Sequence, residues 1–152
     1  KILPVYDQVR PYYQSAGEGL IASVLHVHGE QFHYEVQLNL TDVHGGPEIR
    51  RPDFYLPRLP CFIEYAGKES NEDYRRTMVT KAETYKRNNI PMLWLYPWDV
   101  RYHKLPMLME RIRVFTCNTS HYHHTLQTVD MELRDQYHPA WDPKAGKLVY
   151  MP

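Results

Sequence analysis

Two hydrophobic periods divide the chain. Between Gln31 and Leu40 apolar and polar residues alternate one for one. Phe32, Tyr34, Val36, Leu38 and Leu40 fall on one side, and His33, Glu35, Gln37 and Asn39 on the other. A period of two predicts a half-buried strand, antiparallel to the next one, whose polar row faces solvent or walls a cleft with Glu35 or Gln37. Upstream, SAGEGLIASVLHVHG has the helical period, with Ile21, Val24, Leu25 and His28 as its stripe. Ser15 suits the N-cap, Glu18 three residues on completes a capping box, and Gly29 suits the stop. Glu18 also lies on the inward stripe. Downstream, KESNEDYRRTMVTKAETYKRNN predicts a helix capped by Ser70 or Asn71, acidic in its first turn and basic in its last. Its stripe is Tyr74, Met78, Lys81, Ala82 and Tyr85, in which Lys81 is the one charged member. A lysine there either snorkels to solvent or serves a buried site. Ile90 to Tyr96 is a near-continuous apolar run. It predicts a central strand buried on both faces and parallel to the strand before the helix. Pro97-Trp98-Asp99 ends it, and residues 102–113 predict a short helix, amphipathic through Leu105, Leu108 and Ile112.

Between the first strand and the second helix lies the stretch that carries chemistry. Residues 41–50, TDVHGGPEIR, read as a loop by their Gly-Gly-Pro content, with His44 near enough to approach a substrate. Then RPDFYLPRLPCFIEYAG holds two short runs, Phe54 to Leu56 and Cys61 to Tyr65, joined by a segment bounded by Pro57 and Pro60. Two strands and a tight turn are predicted. Asp53 opens the first run and Glu64 sits inside the second, so an antiparallel hairpin brings both acids to one side of the sheet. Buried carboxylates are costly unless paired, hydrogen-bonded or bound to a cation, and two on one spot suit a hard divalent metal.

Composition changes this picture little. The chain has 152 residues, 43% hydrophobic and 24% charged, the profile of one globular domain. Formal charge is zero, with 18 basic and 18 acidic residues. From Arg50 to Arg113, however, 13 Lys and Arg stand against 8 Asp and Glu, a basic excess compatible with a phosphate backbone or with an ordinary mixed surface. The two cysteines, Cys61 and Cys117, make no disulfide framework. No apolar stretch approaches the ~18 residues of a membrane span, and no signal peptide is seen, so an intracellular protein, cytoplasmic or nuclear, is expected. The sequons at Asn39 and Asn118 are then chance matches. A start at Lys1 suggests a fragment. The tail adds Cys117, His121, His123 and His124, whose spacing matches no strong zinc pattern, and a strand over 127–133.

The order Pro-Asp, then Glu in an apolar strand about ten residues later, resembles the PD-(D/E)XK nuclease superfamily. RPDFYLP followed by FIEYAG is similar to a branch of small restriction-endonuclease-like proteins, and the resemblance covers roughly residues 17–99. It implies an α/β fold with a restriction-endonuclease-like core, a mixed four-stranded central sheet flanked by helices, and a C-terminal extension. The expected division is an arm over 1–14, the core over 15–113, and an extension over 114–152 packed on the core. The resemblance further implies Mg2+ or Mn2+ held by Asp53, Glu64, the carbonyl of Tyr65 and Glu18. Catalysis would rest on Glu18, Asp53, Glu64 and a lysine. The family pattern puts that lysine two residues after the Glu, where this chain has Ala66. Some branches carry it on the next helix, and Lys81 suits that role better than Lys68. Arg50, Arg51, Arg75 and Arg76 are expected phosphate contacts. The implied activity is metal-dependent phosphodiester hydrolysis, on DNA before RNA, acting as a monomer, as a homodimer or within a larger protein. Two alternatives stay open: a nucleic-acid-binding module that keeps the fold without the chemistry, and an enzyme of another class whose Asp-Glu pair is structural.

Overall fold

The computed structural model describes residues 13–68 and 71–118, together with the backbone of 130–132, 138–142 and 147–151. In chain order these residues form helix α1 (Ala16–Val27), strands β1 (His33–Tyr34), β2 (Gln37–Thr41), β3 (Pro47–Arg50), β4 (Phe54–Leu56) and β5 (Cys61–Tyr65), then helix α2 (Glu72–Arg87). Strand β6 (Met92–Leu95), a single 3-10 turn (Pro97–Val100) and helix α3 (Leu105–Asn118) follow. Three further strands are β7 (Asp130–Glu132), β8 (His138–Asp142) and β9 (Lys147–Met151). The protein is α/β, with a four-stranded mixed sheet in the order β1-β4-β5-β6. β1, β4 and β5 are antiparallel, and β6 runs parallel to β5 across α2.

Pleating gives this sheet two unlike faces. Phe54, Leu56, Cys61, Ile63, Leu93 and Leu95 point to a core shared with Ile21, Val24 and Leu25 of α1 and Leu105, Leu108 and Ile112 of α3. Phe62 faces the other way, into a smaller core with Tyr85 and Ile90, joined by Val36 and by Leu38 and Leu40 of β2. Glu64 has the same parity as Phe62, so it belongs to the second face, under α2.

The predicted single strand over 31–40 is in fact two. The backbone turns at Glu35, whose φ is 57° and whose N–H donates to the Asp53 carbonyl at 3.0 Å. β1 thus stays in the four-stranded sheet, while β2 joins a second sheet of order β3-β2-β7. The alternating pattern persists through the break because both halves are one-sided, but they bury against different cores. Phe32 packs in the first core and Val36, Leu38 and Leu40 in the second. The break also leaves Glu35 buried, with Gln14 Nε2 donating to its Oε1 at 2.8 Å.

The predicted loop over 41–50 shortens to a five-residue turn. Asp42 accepts at Oδ1 from the N–H groups of His44 and Gly46, at 2.8 and 2.9 Å, and Gly45 takes φ 87°. Such an Asx turn closes a hairpin. Pro47 to Arg50 then pair with Leu38 to Thr41, with Pro47 at the end of an outer strand, where its missing N–H is tolerated.

Other differences are smaller. His28 is the exposed C-cap of α1 rather than part of its stripe, and its Nδ1 meets the Val24 carbonyl at 3.0 Å. β6 is buried on one face only, since Met92 and Trp94 are half-buried. Tyr13 and Gln14, at the end of the expected arm, are built into the body: Tyr13 packs on Phe54 and Tyr34. α3 runs on to Asn118, so a boundary after Arg113 falls inside a helix. Of the strand expected over 127–133, residues 130–132 are described and pair with β2. Ser70 and the histidines at 121, 123 and 124 lie outside the described residues. Cys61 is buried and Cys117 exposed. Among the described residues no helix is long and apolar enough to cross a membrane.

Candidate active site

The hairpin register carries Asp53 to the Glu64 position. Phe54 opposes Ile63, so the next pair outward sets Asp53 against Glu64 on the α2 face. Asp53 Oδ2 accepts the Tyr65 N–H at 2.7 Å, which locks the carboxylate to the partner strand. Glu18 joins them from the first turn of α1. Ser15 caps that helix, accepting the Glu18 N–H at 3.2 Å, and its hydroxyl donates to Glu18 Oε2 at 2.7 Å. Tyr34 donates to Glu18 Oε1 at 2.6 Å. Glu18 is therefore both a helix-end group and a member of the site.

Lys81 comes down from α2. Its Nζ lies 3.6 Å from Glu64 Oε2, and Tyr85, one turn further, donates to Glu64 Oε1 at 3.0 Å. The spacing i, i+4 on one helix thus delivers a cation and a hydroxyl to the two oxygens of one carboxylate. Ala66, in the position where a lysine is expected by family pattern, is fully buried. Glu18, Asp53, Glu64 and Lys81 line a cavity of about 470 Å³ together with Gln14, Gly17, Tyr65, Gly67, Lys68 and Tyr74.

The electrostatics follow from burial. Glu64 side-chain exposure is 5%, and loss of solvent pushes its carboxyl above the ordinary range, opposed by the Lys81 charge. Asp53 is pushed up well above its ordinary value, first by desolvation and then by the charges of Glu64 and Glu18. Burial and Glu18 raise the Tyr34 hydroxyl, and burial and Glu64 raise that of Tyr85, so both remain proton donors to their carboxylates. Three carboxylates and two lysines share the cavity, an arrangement that holds a surplus of negative charge away from bulk water.

A divalent cation suits that surplus. Among the described residues no group of three or more His, Cys, Asp or Glu side chains is gathered tightly enough to hold a metal by itself. Glu18 has a hydrogen bond at each oxygen, and Glu64 has Tyr85 on one oxygen and Lys81 near the other, while Asp53 Oδ2 takes the Tyr65 N–H. Asp53 and Glu64, opposed across the hairpin, are the pair of donors that share the sheet face. Mg2+ takes one or two carboxylates and keeps several waters, so a two-carboxylate site in a cavity of this size is adequate for it. The Tyr65 carbonyl, the third expected ligand, accepts from Tyr74 Oη at 3.4 Å.

The four arginines do not enter this cavity. Arg50 Nε pairs with Glu48 at 2.8 Å, and Arg51 Nη2 donates to Gln37 Oε1 at 2.6 Å. Arg75 and Arg76 sit on the exposed side of α2, within 4.0 Å of Glu72, and Arg75 lines a neighbouring groove instead. Three participants were not singled out by sequence reading: Gln14, Tyr34 and Gly17. Tyr34 looked like one more apolar position in an alternating row. Gly17 has a steric role, because a Cβ there would collide with the Tyr65 ring, and one at Gly67 would lie 2.8 Å from Tyr65 Cε2. The ring is thus slotted between two glycines that both line the cavity. Gly17→Ala is expected to cost about 1–3 kcal/mol, the usual scale of overpacking. Denaturant unfolding tests this, and adding Tyr65→Ala should make the pair cost less than the sum of the singles.

Fold and site together define an α/β protein whose two central strands, β4 and β5, present a carboxylate-lysine cavity. In comparison with known proteins, the chain matches no family model, no curated protein and no solved structure.

Proposed function

We propose that the protein is a metal-dependent nuclease of the PD-(D/E)XK type, hydrolysing phosphodiester bonds of DNA in preference to RNA. The observation that carries this reading is the Lys81 ammonium 3.6 Å from Glu64, in one cavity with Asp53 and Glu18. A lysine carried on the helix after the second acid thereby stands beside that acid, where the strand itself has Ala66. Asp53 and Glu64 would hold Mg2+ or Mn2+, which when bound activates water and relieves charge on the phosphate. The chain's own residues do the rest. Lys81 orients the attacking water and offsets phosphate charge. Tyr85 and Tyr34 fix the orientation of the Glu64 and Glu18 carboxylates by hydrogen bonds. The basic excess of the 50–113 segment supplies long-range attraction for a polyanion.

Cleavage assays test this directly. Single-stranded, duplex and branched DNA, and RNA, would be incubated with Mg2+, Mn2+ or EDTA. Cutting in Mg2+ or Mn2+, blocked by EDTA and lost in Asp53→Ala and Glu64→Ala, is the expected result. Nucleic acid bound without any cutting would instead make the protein a binding module.

A further inference from the structure

On the next flank of α2, about 100° round the helix from Lys81, lies a second cavity of about 400 Å³ lined by Arg75, Met78, Val79, Ala82, Trp94 and Tyr96. Its floor is built from the sheet face that carries Glu64. Trp94 is the direct register partner of Glu64 across β5 and β6, one strand spacing away. Tyr85, a buried residue of α2, links the two sites: its hydroxyl donates to Glu64 while its ring stands 6.1 Å from that of Trp94. Trp94, on the outer strand β6, and Tyr96 just after it are half-buried, and Val79 is 58% exposed. The groove therefore combines two aromatic rings, an aliphatic side wall from Met78 and Ala82, and a guanidinium, directly beside the carboxylate cavity.

We infer that this groove takes an unpaired nucleobase of the substrate strand. The inference rests on the nuclease reading of the neighbouring cavity and names its substrate class: single-stranded or locally unpaired DNA rather than intact duplex. Aromatic side chains stack on bases of any identity, and an arginine beside them meets the adjoining phosphate. The volume is within the range of small-ligand pockets. A base in duplex DNA stays stacked and paired and does not reach a lateral groove, whereas an unpaired one enters without that loss. Because the two cavities occupy adjacent flanks of α2, the base bound belongs to a nucleotide flanking the scissile phosphate. Charge also favours this occupant: Arg75 is the charged group in the lining of the groove, and it is positive.

The test is equilibrium binding in EDTA, so that nothing is cut, read by fluorescence anisotropy. Three labelled probes are compared: oligo-dT, an abasic strand of the same length, and a blunt duplex. Oligo-dT should bind about 5- to 150-fold tighter than the abasic strand, the range that one stacked base supplies. Trp94→Ala should remove that difference and leave duplex binding as it was, while Trp94→Phe keeps most of it. Trp94 packs on Tyr85, so Val79→Glu provides an independent variant at an exposed site. It should reduce oligo-dT binding and narrow the same difference. Equal binding of oligo-dT and abasic strands overturns the inference, as does a difference that survives both Trp94→Ala and Val79→Glu, or no binding of any probe. A base-dependent difference without Mg2+-dependent cutting would uphold the groove and defeat the nuclease reading. Cutting without the difference would do the reverse.

Discussion

Replacing Lys81 with methionine lowers Mg2+-dependent DNA cleavage by about 10²–10³-fold, the scale for removing one positioned charge stabiliser from an active site. Methionine keeps the apolar stem and its packing on α2, so the fold is spared and only the ammonium is lost. The change has a second signature. Lys81 is the leading influence holding the Glu64 carboxyl down against its desolvation. Without it the folded Glu64 keeps its proton to higher pH, and the acid limb of the cleavage profile moves upward. A substitution that merely disturbed the fold would reduce activity without moving that limb. If the rate and profile are both unchanged, the role passes to Lys68, which lines the same cavity, and Lys68→Met becomes the informative variant.

The Asp53→Asn protein loses cleavage and Mg2+ binding yet becomes more stable without metal, by on the order of 1 kcal/mol. Asp53 is the most strained acid of the site, raised by desolvation and by the charges of Glu64 and Glu18. An asparagine keeps an oxygen for the Tyr65 N–H and removes the charge. The pH dependence follows by linkage. Because the folded pKa lies above the unfolded one, the folded protein holds a proton that the unfolded chain has released, from the ordinary carboxylate range up to the raised value. Stability is full below that window and falls as pH rises through it. Melts in EDTA should therefore decline over that window in the parent and decline less in Asp53→Asn. Mg2+ binds the ionised form, so it should raise the parent melting temperature, more strongly as pH increases, and leave the variant unmoved. A variant that melts below the parent in EDTA would show that the Asp53 charge is a stabilising one, and the metal reading would lose its electrostatic basis.

Local chemistry made much of this legible in the chain. The Ser15 cap, the Gly29 stop, the Asn71 cap of α2 and the prolines around the β4–β5 hairpin are decided within a few residues by backbone preferences and hydrogen-bonding side chains. The pairing of Asp53 with Glu64 follows from the period of two and a short turn, and Lys81 on the inner stripe follows from the period of 3.6. What tertiary structure alone decided are the features with no period. The left-handed turn at Glu35 is held by the Asp53 carbonyl, a contact between distant residues that splits an otherwise continuous alternating run. The Tyr34 hydroxyl on Glu18, the glycine slot around Tyr65 and the exposure of Trp94 each depend on how separate elements meet. Sequence period says which side of an element a residue occupies. Only packing says which neighbour fills that side, or whether it is left open.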